Sequence, residues 1–212
     1  MSSAPQAAQV EGFAAQFQRP QGLAGRLCGH LMSVFNADME RAAVRRLALR
    51  GTEHVLAVGF GPGVGLAMLA RRLPHGRVSG IDHSDVMVAQ ARRRCRRPIE
   101  DGRMDLRRGT VTALPWPAAT FDAVCSVNNV HFWDPLDDAM REVARVLRPG
   151  GRLVIAVHRW AAQGPVGIDS HDTQPLAAAL PAVLRAHGFA DVEASEQLAL
   201  SGRALSFVAA RT

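Results

Sequence analysis

The chain has 212 residues, 48% of them hydrophobic, and a formal net charge of +6. That length suits one α/β domain with a small N-terminal extension, and the apolar content suffices for a sizeable core. Every basic side chain is arginine and tyrosine is absent, which excludes a Schiff-base lysine, a P-loop lysine and a catalytic phenol.

No apolar stretch of about 18 residues occurs, so no membrane span is predicted. Residues 1–12 lack the basic-then-apolar pattern of a secretory signal. Cys28, Cys95 and Cys125 are widely spaced, which fits a reducing compartment and argues against a disulfide framework or a Cys-based metal site. A cytoplasmic location is expected. The histidines show no metal-ligand spacing, and no metal is expected.

Residues 1–16 read as a tail. In residues 18–35, Leu23, Leu27, Leu31 and Phe35 recur at i, i+4, which predicts a helix. Asn36 is placed to cap a second helix that carries Met39, Ala43, Val44 and Leu47 on one face and ends by Gly51. Next, Val55, Leu56, Ala57 and Val58 form a short apolar run of the kind a doubly covered parallel strand shows. Gly59, Gly61, Gly63 and Gly65 follow at alternate positions, and then comes a helix-forming segment. Strand, glycine loop and helix open a nucleotide-type site, where a ligand approaches bare backbone. The spacing departs from the dinucleotide pattern Gly-x-Gly-x-x-Gly, because Val64 or Leu66 falls where the last glycine belongs.

A second strand is predicted over residues 77–82. It ends on Asp82, where a carboxylate can accept hydrogen bonds from both hydroxyls of a ribose. Ser84 and Asp85 then open a helix over 86–97, whose C-terminal arginines suit the helix dipole. Residues 105–111 read as a third strand and 121–129 as a fourth with its end. After a helix over 139–147, Arg148-Pro149-Gly150-Gly151 makes a tight turn into a fifth strand over 153–157. A helix over 175–187 and strands over 188–192 and 204–210 complete the chain.

The glycine loop, Asp82, Leu114-Pro115 and the run Arg145-Val146-Leu147-Arg148-Pro149-Gly150-Gly151 together resemble the motifs of class I S-adenosylmethionine (SAM)-dependent methyltransferases. The resemblance covers about residues 53–158 and is to the small-molecule, type 11-like branch. It implies a Rossmann-like α/β fold: a seven-stranded doubly wound sheet with an antiparallel last strand, under a lid of N-terminal helices. Residues 1–50 would form the tail and helical lid, and residues 51–212 the SAM-binding domain. The implied cofactor is SAM, with S-adenosylhomocysteine (SAH) as product. Its expected contacts are Gly59, Phe60, Gly61, Gly63, Asp82, His83, Met87, Gly109, Thr110, Val111 and Asn128. Two features depart from the family pattern. Ala57 stands where an acid is common in the first strand, and Thr110 stands where an acid often meets the adenine.

In a doubly wound sheet the reacting groups gather beyond the carboxyl ends of the strands. His131 and His158 are therefore the candidate general bases, and Asn129, Trp133 and Trp160 the candidate substrate contacts. The expected activity is methyl transfer to an O or N atom of a small-molecule acceptor. The arginines keep open phospholipid-headgroup N-methylation in peripheral contact with an anionic membrane, and Ala57 keeps open a non-catalytic SAM- or SAH-binding protein. No nucleic-acid partner is expected, since the arginine cluster lacks interleaved aromatics. Either a monomer or a homodimer fits.

Overall fold

A computed structural model describes residues 36–163, 175–199 and 202–212. The predicted tail, the helix over residues 18–35 and most of the loop after His158 lie outside the described residues. The apolar run forms β1 (His54–Val58), and its side chains leave alternately toward two cores. Leu56 and Val58 join Val124, Met140, Ile155 and Val157 on one face, while Val55 and Ala57 join Met39, Leu66, Leu69 and Val154 on the other. This split, on a strand apolar at nearly every position, follows from a sheet covered on both sides.

The remaining strands are β2 (Arg77–Asp82), β3 (Met104–Arg108), β4 (Phe121–Val127), β5 (Leu147–His158), β6 (Phe189–Ala199) and β7 (Gly202–Arg211). Their order across the sheet is β3-β2-β1-β4-β5-β7-β6. The first five run parallel, β7 is antiparallel to β5, and β6 is antiparallel to β7. This is the seven-stranded doubly wound sheet expected from the motifs. Helices α1 (Ala37–Arg46), α2 (Val64–Arg72), α3 (Asp85–Arg94) and α4 (Arg96–Glu100) cover one face. Helices α5 (Leu136–Val146), α6 (Arg159–Ala162) and α7 (Leu176–Ala186) cover the other. Among the described residues no helix is long and apolar enough to cross a membrane.

Several boundaries differ from the sequence expectation, each for a local reason. The helix predicted over 86–97 breaks at Cys95, because Pro98 has no N–H to continue the ladder and its ring crowds the preceding turn. The third strand stops at Arg108 rather than at Val111: Gly109 N donates to Asp82 O at 3.0 Å and the chain then turns away. The helix before β5 starts at Leu136, one residue after Pro135, which suits the first turn. The last two strands are longer than predicted and pair along most of their length, which their weak alternation did not reveal. Asn36 precedes α1 as expected, yet its side chain makes no capping bond. Its Oδ1 lies 3.2 Å from His158 Nε2 instead.

Helix α1 packs on α2, β4 and β5, so its apolar stripe Met39, Ala43, Val44 and Leu47 belongs to the sheet core. Strands β2 and β4 lie on opposite sides of β1. The chain reverses its direction across the sheet at β1, and the crevice beyond β1 is where such a fold holds its ligand.

Candidate functional site

That crevice contains a cavity of about 540 Å³, within the usual range for a small-ligand site. Its floor is the end of β1 and of β2: Val58, Gly59, Ile81, Asp82 and His83. One wall is the chain after β3, from Gly109 through Thr112, and the other is Asn129 to Asp134 after β4.

The glycine loop is built as its composition requires. Gly59, Gly61 and Gly63 have φ of +66°, +53° and +85°, a left-handed region that L side chains rarely adopt. A Cβ on Gly59 would collide with the Asn129 carboxamide, so the loop and the end of β4 touch through bare backbone. A Cβ on Gly63 would meet Ala91 at 2.9 Å, so this glycine admits close packing of α2 on α3. It does not line the cavity.

Asp82 is 6% exposed. Its Oδ2 accepts from Gly61 N at 2.8 Å and its Oδ1 from Ser84 N at 2.9 Å. Burial pushes its pKa up, while the Ser84 and Gly61 N–H groups and the neighbouring His83 pull it down. Each carboxylate oxygen has a second lone pair, so the tie to the loop leaves acceptor capacity toward the cavity. Ser84 caps α3 by accepting from Met87 N at 3.4 Å. Ser84 thus performs the capping task its spacing predicted, and Asp82 stands beside it at the cavity.

The structure brings nine of the predicted site residues to the cavity wall: Gly59, Asp82, His83, Gly109, Thr110, Val111, Asn129, His131 and Trp133. Phe60 and Gly61 line a smaller hollow against the loop. The other predictions fall elsewhere. Met87 lies in the first turn of α3 and is buried. Asn128 has φ +49° and ties β4 to β5, its N donating to Ala156 O at 2.7 Å and its Oδ1 accepting from His158 N at 3.4 Å. His158 is 3% exposed and faces Asn36. Trp160 is 65% exposed, stacked on His158 at 5.9 Å and edge-on to His131 at 6.3 Å. Gly63, Met87, Asn128, His158 and Trp160 therefore lie outside the cavity lining.

His131 is the histidine of the two candidates that faces the cavity. Burial, and then the nearby His158, push its pKa down to about 4. Its Nδ1 is buried with no hydrogen-bond partner among the described residues. A neutral imidazole keeps one ring nitrogen as a hydrogen-bond acceptor. Phe132, Thr112 and Asp134 also line the cavity, and sequence reasoning passed over them because they lie in irregular chain between motifs. Glu40 was missed as well; it reaches the back of the glycine loop from α1.

A parallel sheet with this strand order, a glycine loop after β1 and a carboxylate at the end of β2 define a nucleoside-binding domain of the class I methyltransferase type. A family model described as a methyltransferase domain matches residues 55–151. The uncharacterized methyltransferase YdaC of Bacillus subtilis is 29% identical over 168 residues, covering 79% of this chain and 88% of that protein. A demethylmenaquinone methyltransferase of Tropheryma whipplei is 37% identical over 120 residues, 57% of this chain, and the chain spans 48% of that relative's length. A SAM-dependent methyltransferase from Aquifex aeolicus superposes with a TM-score of 0.65 at 18% identity, covering 85% of this chain and 92% of that one. In fold, and in sequence over residues 55–151, the chain is similar to the class I SAM-dependent methyltransferases.

The residues present fit SAM. The loop is bare at the positions where a Cβ would intrude, a carboxylate is presented at the end of β2, and the cavity is of suitable size. Bound there, SAM supplies an electrophilic methyl on a sulfonium.

Proposed function

We propose that this protein transfers the methyl group of SAM to an oxygen or nitrogen of a small-molecule acceptor. The observation that carries the reading is Asp82, held against Gly61 at 2.8 Å while it lines the cavity. One carboxylate thereby fixes the loop and presents acceptors to a ribose. In this reading His83 flanks the nucleoside, and Gly109, Thr110 and Val111 border its base. Asn129, Trp133 and His131 border the acceptor. The name of the demethylmenaquinone methyltransferase relative supports a small organic acceptor.

Transfer breaks the methyl carbon–sulfur bond, whose electron pair stays on sulfur, and forms a carbon–oxygen or carbon–nitrogen bond. The chain's task is to hold the acceptor atom about 3 Å from the methyl carbon and in line with the breaking bond. Val58, Ile81, Phe132 and Trp133 supply the apolar part of the lining, which helps exclude water once cofactor and acceptor are bound. His131 is placed to receive a proton from a hydroxyl acceptor, and an amine acceptor needs no such transfer. In the same reading the protein is cytoplasmic.

The test pairs calorimetry with a transfer assay. Wild type should bind SAM and SAH, and Asp82→Ala should lose about 1–3 kcal/mol of binding free energy. A radiolabelled methyl donor offered with a panel of small hydroxyl and amine acceptors should then yield labelled product. Intact binding with no product from any acceptor would favour a non-catalytic SAM-binding role, to which Ala57 already points.

A further inference from the structure

Glu40 sits on the inner face of α1, beside Met39, Ala43 and Val44 of the core. Its side chain lines a niche with Ala57, Leu66, Leu69 and Cys125 and a second hollow with Asn36, Gly61 and Pro62. Both hollows adjoin Gly59 and Phe60 of the glycine loop. The carboxylate rests on Gly65 in the first turn of α2, where a methyl group would collide with it. Among the described residues no ion pair reaches it, and burial pushes its pKa up to about 8. A carboxylate without a counter-charge is costly to bury, and here it is aimed along the loop that holds the cofactor.

Ala57 shares that niche, and it is the position where an acid is common in the family. The carboxylate that β1 lacks is present in the same place, delivered by another element. SAM carries two positive centres. The sulfonium has no N–H or O–H, so the α-ammonium is the centre that can donate hydrogen bonds to a carboxylate. We infer that Glu40 binds the α-ammonium of SAM and SAH, standing in from α1 for the acid missing at Ala57. The inference rests on the cofactor reading above. It makes α1 part of the cofactor site and places the amino-acid end of the ligand on the α1 side of the loop.

The probes are SAH and its deaminated analogue, S-adenosyl-4-thiobutyrate, which differs only in lacking the amino group. Calorimetry on wild type should show SAH binding about tenfold to a hundredfold tighter than the analogue, the range for a charge-assisted bond. Glu40→Gln should erase most of that preference while leaving the analogue's affinity within about twofold. The double variant E40A/A57D should restore part of it by returning the carboxylate from β1. Retained analogue binding certifies a folded site in each variant.

Wild type supplies a second readout that needs no variant. Of the groups lining both hollows, Cys125 on β4 is the other titratable one, and burial pushes its thiol far above neutrality. Linings from β1 and α2 contribute no titratable or charged group. Near neutral pH, SAH binding should therefore release a proton as Glu40 ionises against the ammonium, seen as a buffer-dependent binding enthalpy, and the analogue should release none. Equal affinity of wild type for both ligands overturns the inference, as does a loss in Glu40→Gln that falls equally on both. Wild type that binds neither ligand overturns the cofactor reading as well, which separates the two failures.

Discussion

The indole Nε1–H of Trp133 donates to Asn129 Oδ1 at 2.7 Å, and the amide it holds is the one packed on the bare face of Gly59. The bond joins the wall after β4 to the glycine loop through two side chains, both of which line the cavity. Trp133→Phe keeps an aromatic ring and removes the donor. A double-mutant cycle with Asn129→Ala should give a coupling of about 1 kcal/mol in urea unfolding, the net worth of one buried neutral hydrogen bond. Strict additivity of the two single changes would show that the pair does not act as a unit.

A second clamp sets the wall on the other side of the cavity. Arg145 pairs with Glu142 at 2.6 Å and donates to Trp116 O at 2.8 Å and Leu114 O at 2.9 Å, while Glu142 Oε2 accepts from Leu114 N at 2.8 Å. The arginine of the Arg-Val-Leu-Arg-Pro-Gly-Gly run thereby fixes the Leu114-Pro115 segment that follows Thr110–Thr112. Arg145→Ala strands these acceptors and should cost about 1–3 kcal/mol in chemical denaturation. The Arg145 side chain holds the Glu142 carboxyl below its usual pKa. Its contribution is therefore present above the unfolded value of about 4.5 and lost as pH falls below it. The gap between wild type and variant should narrow in acid.

The sheet was legible because its signals are local and redundant. Apolar runs, glycine spacing and the Pro-Gly-Gly turn each determine their own stretch of backbone, and Asp82 announces itself at a strand end. What stayed hidden depends on distant parts of the chain meeting. Met87 and Asp82 lie close in sequence, yet the cap at Ser84 turns Met87 inward. His131 and His158 both follow strands and look equivalent in sequence, yet Asn36, 122 positions before His158, occupies one of them. Glu40 had a signal: it lies at i+4 from Asn36, with Ala43 and Val44 three and four residues further on, the spacing of a single helix face. A carboxylate in an apolar stripe, together with an alanine where an acid is common, is a pair that only the fold brings within reach.

The pKa of His131 near 4 makes a spectroscopic prediction. In the unliganded protein its Cε1–H resonance should titrate far below the ordinary imidazole value of about 6.5. Its folded pKa is depressed, so the unfolded chain takes up the proton first. The stabilising contribution is full above about pH 6.5 and declines as pH falls toward 4. His54 and His158, both pushed down chiefly by burial, act in the same direction. Relative to wild type, His131→Gln should therefore gain stability as pH falls from about 6.5 to 4. A His131 resonance that titrates near 6.5 would contradict the buried, neutral imidazole.

Glu40 acts in the opposite direction, and its effect can be measured without any ligand. Its folded pKa is raised from 4.5 to about 8, so the folded chain holds this proton more tightly than the unfolded chain. Stability tied to the protonated carboxyl is full below about pH 4.5 and drains away as pH rises toward 8. Glu40→Gln has nothing to ionise there. The variant should match wild type near pH 4.5 and exceed it by about 1–3 kcal/mol near pH 8.5 in urea unfolding, a figure discounted for the partial exposure of the side chain. Saturating SAH should then stabilise wild type more than the variant, because the ligand favours the folded state in proportion to its affinity. A carboxylate kept where it weakens the free protein is what a ligand-binding role demands, and stability would be given up at that position for function. A gap that does not change with pH would mean that Glu40 stays ionised in the free protein, held by contacts other than those in the described residues.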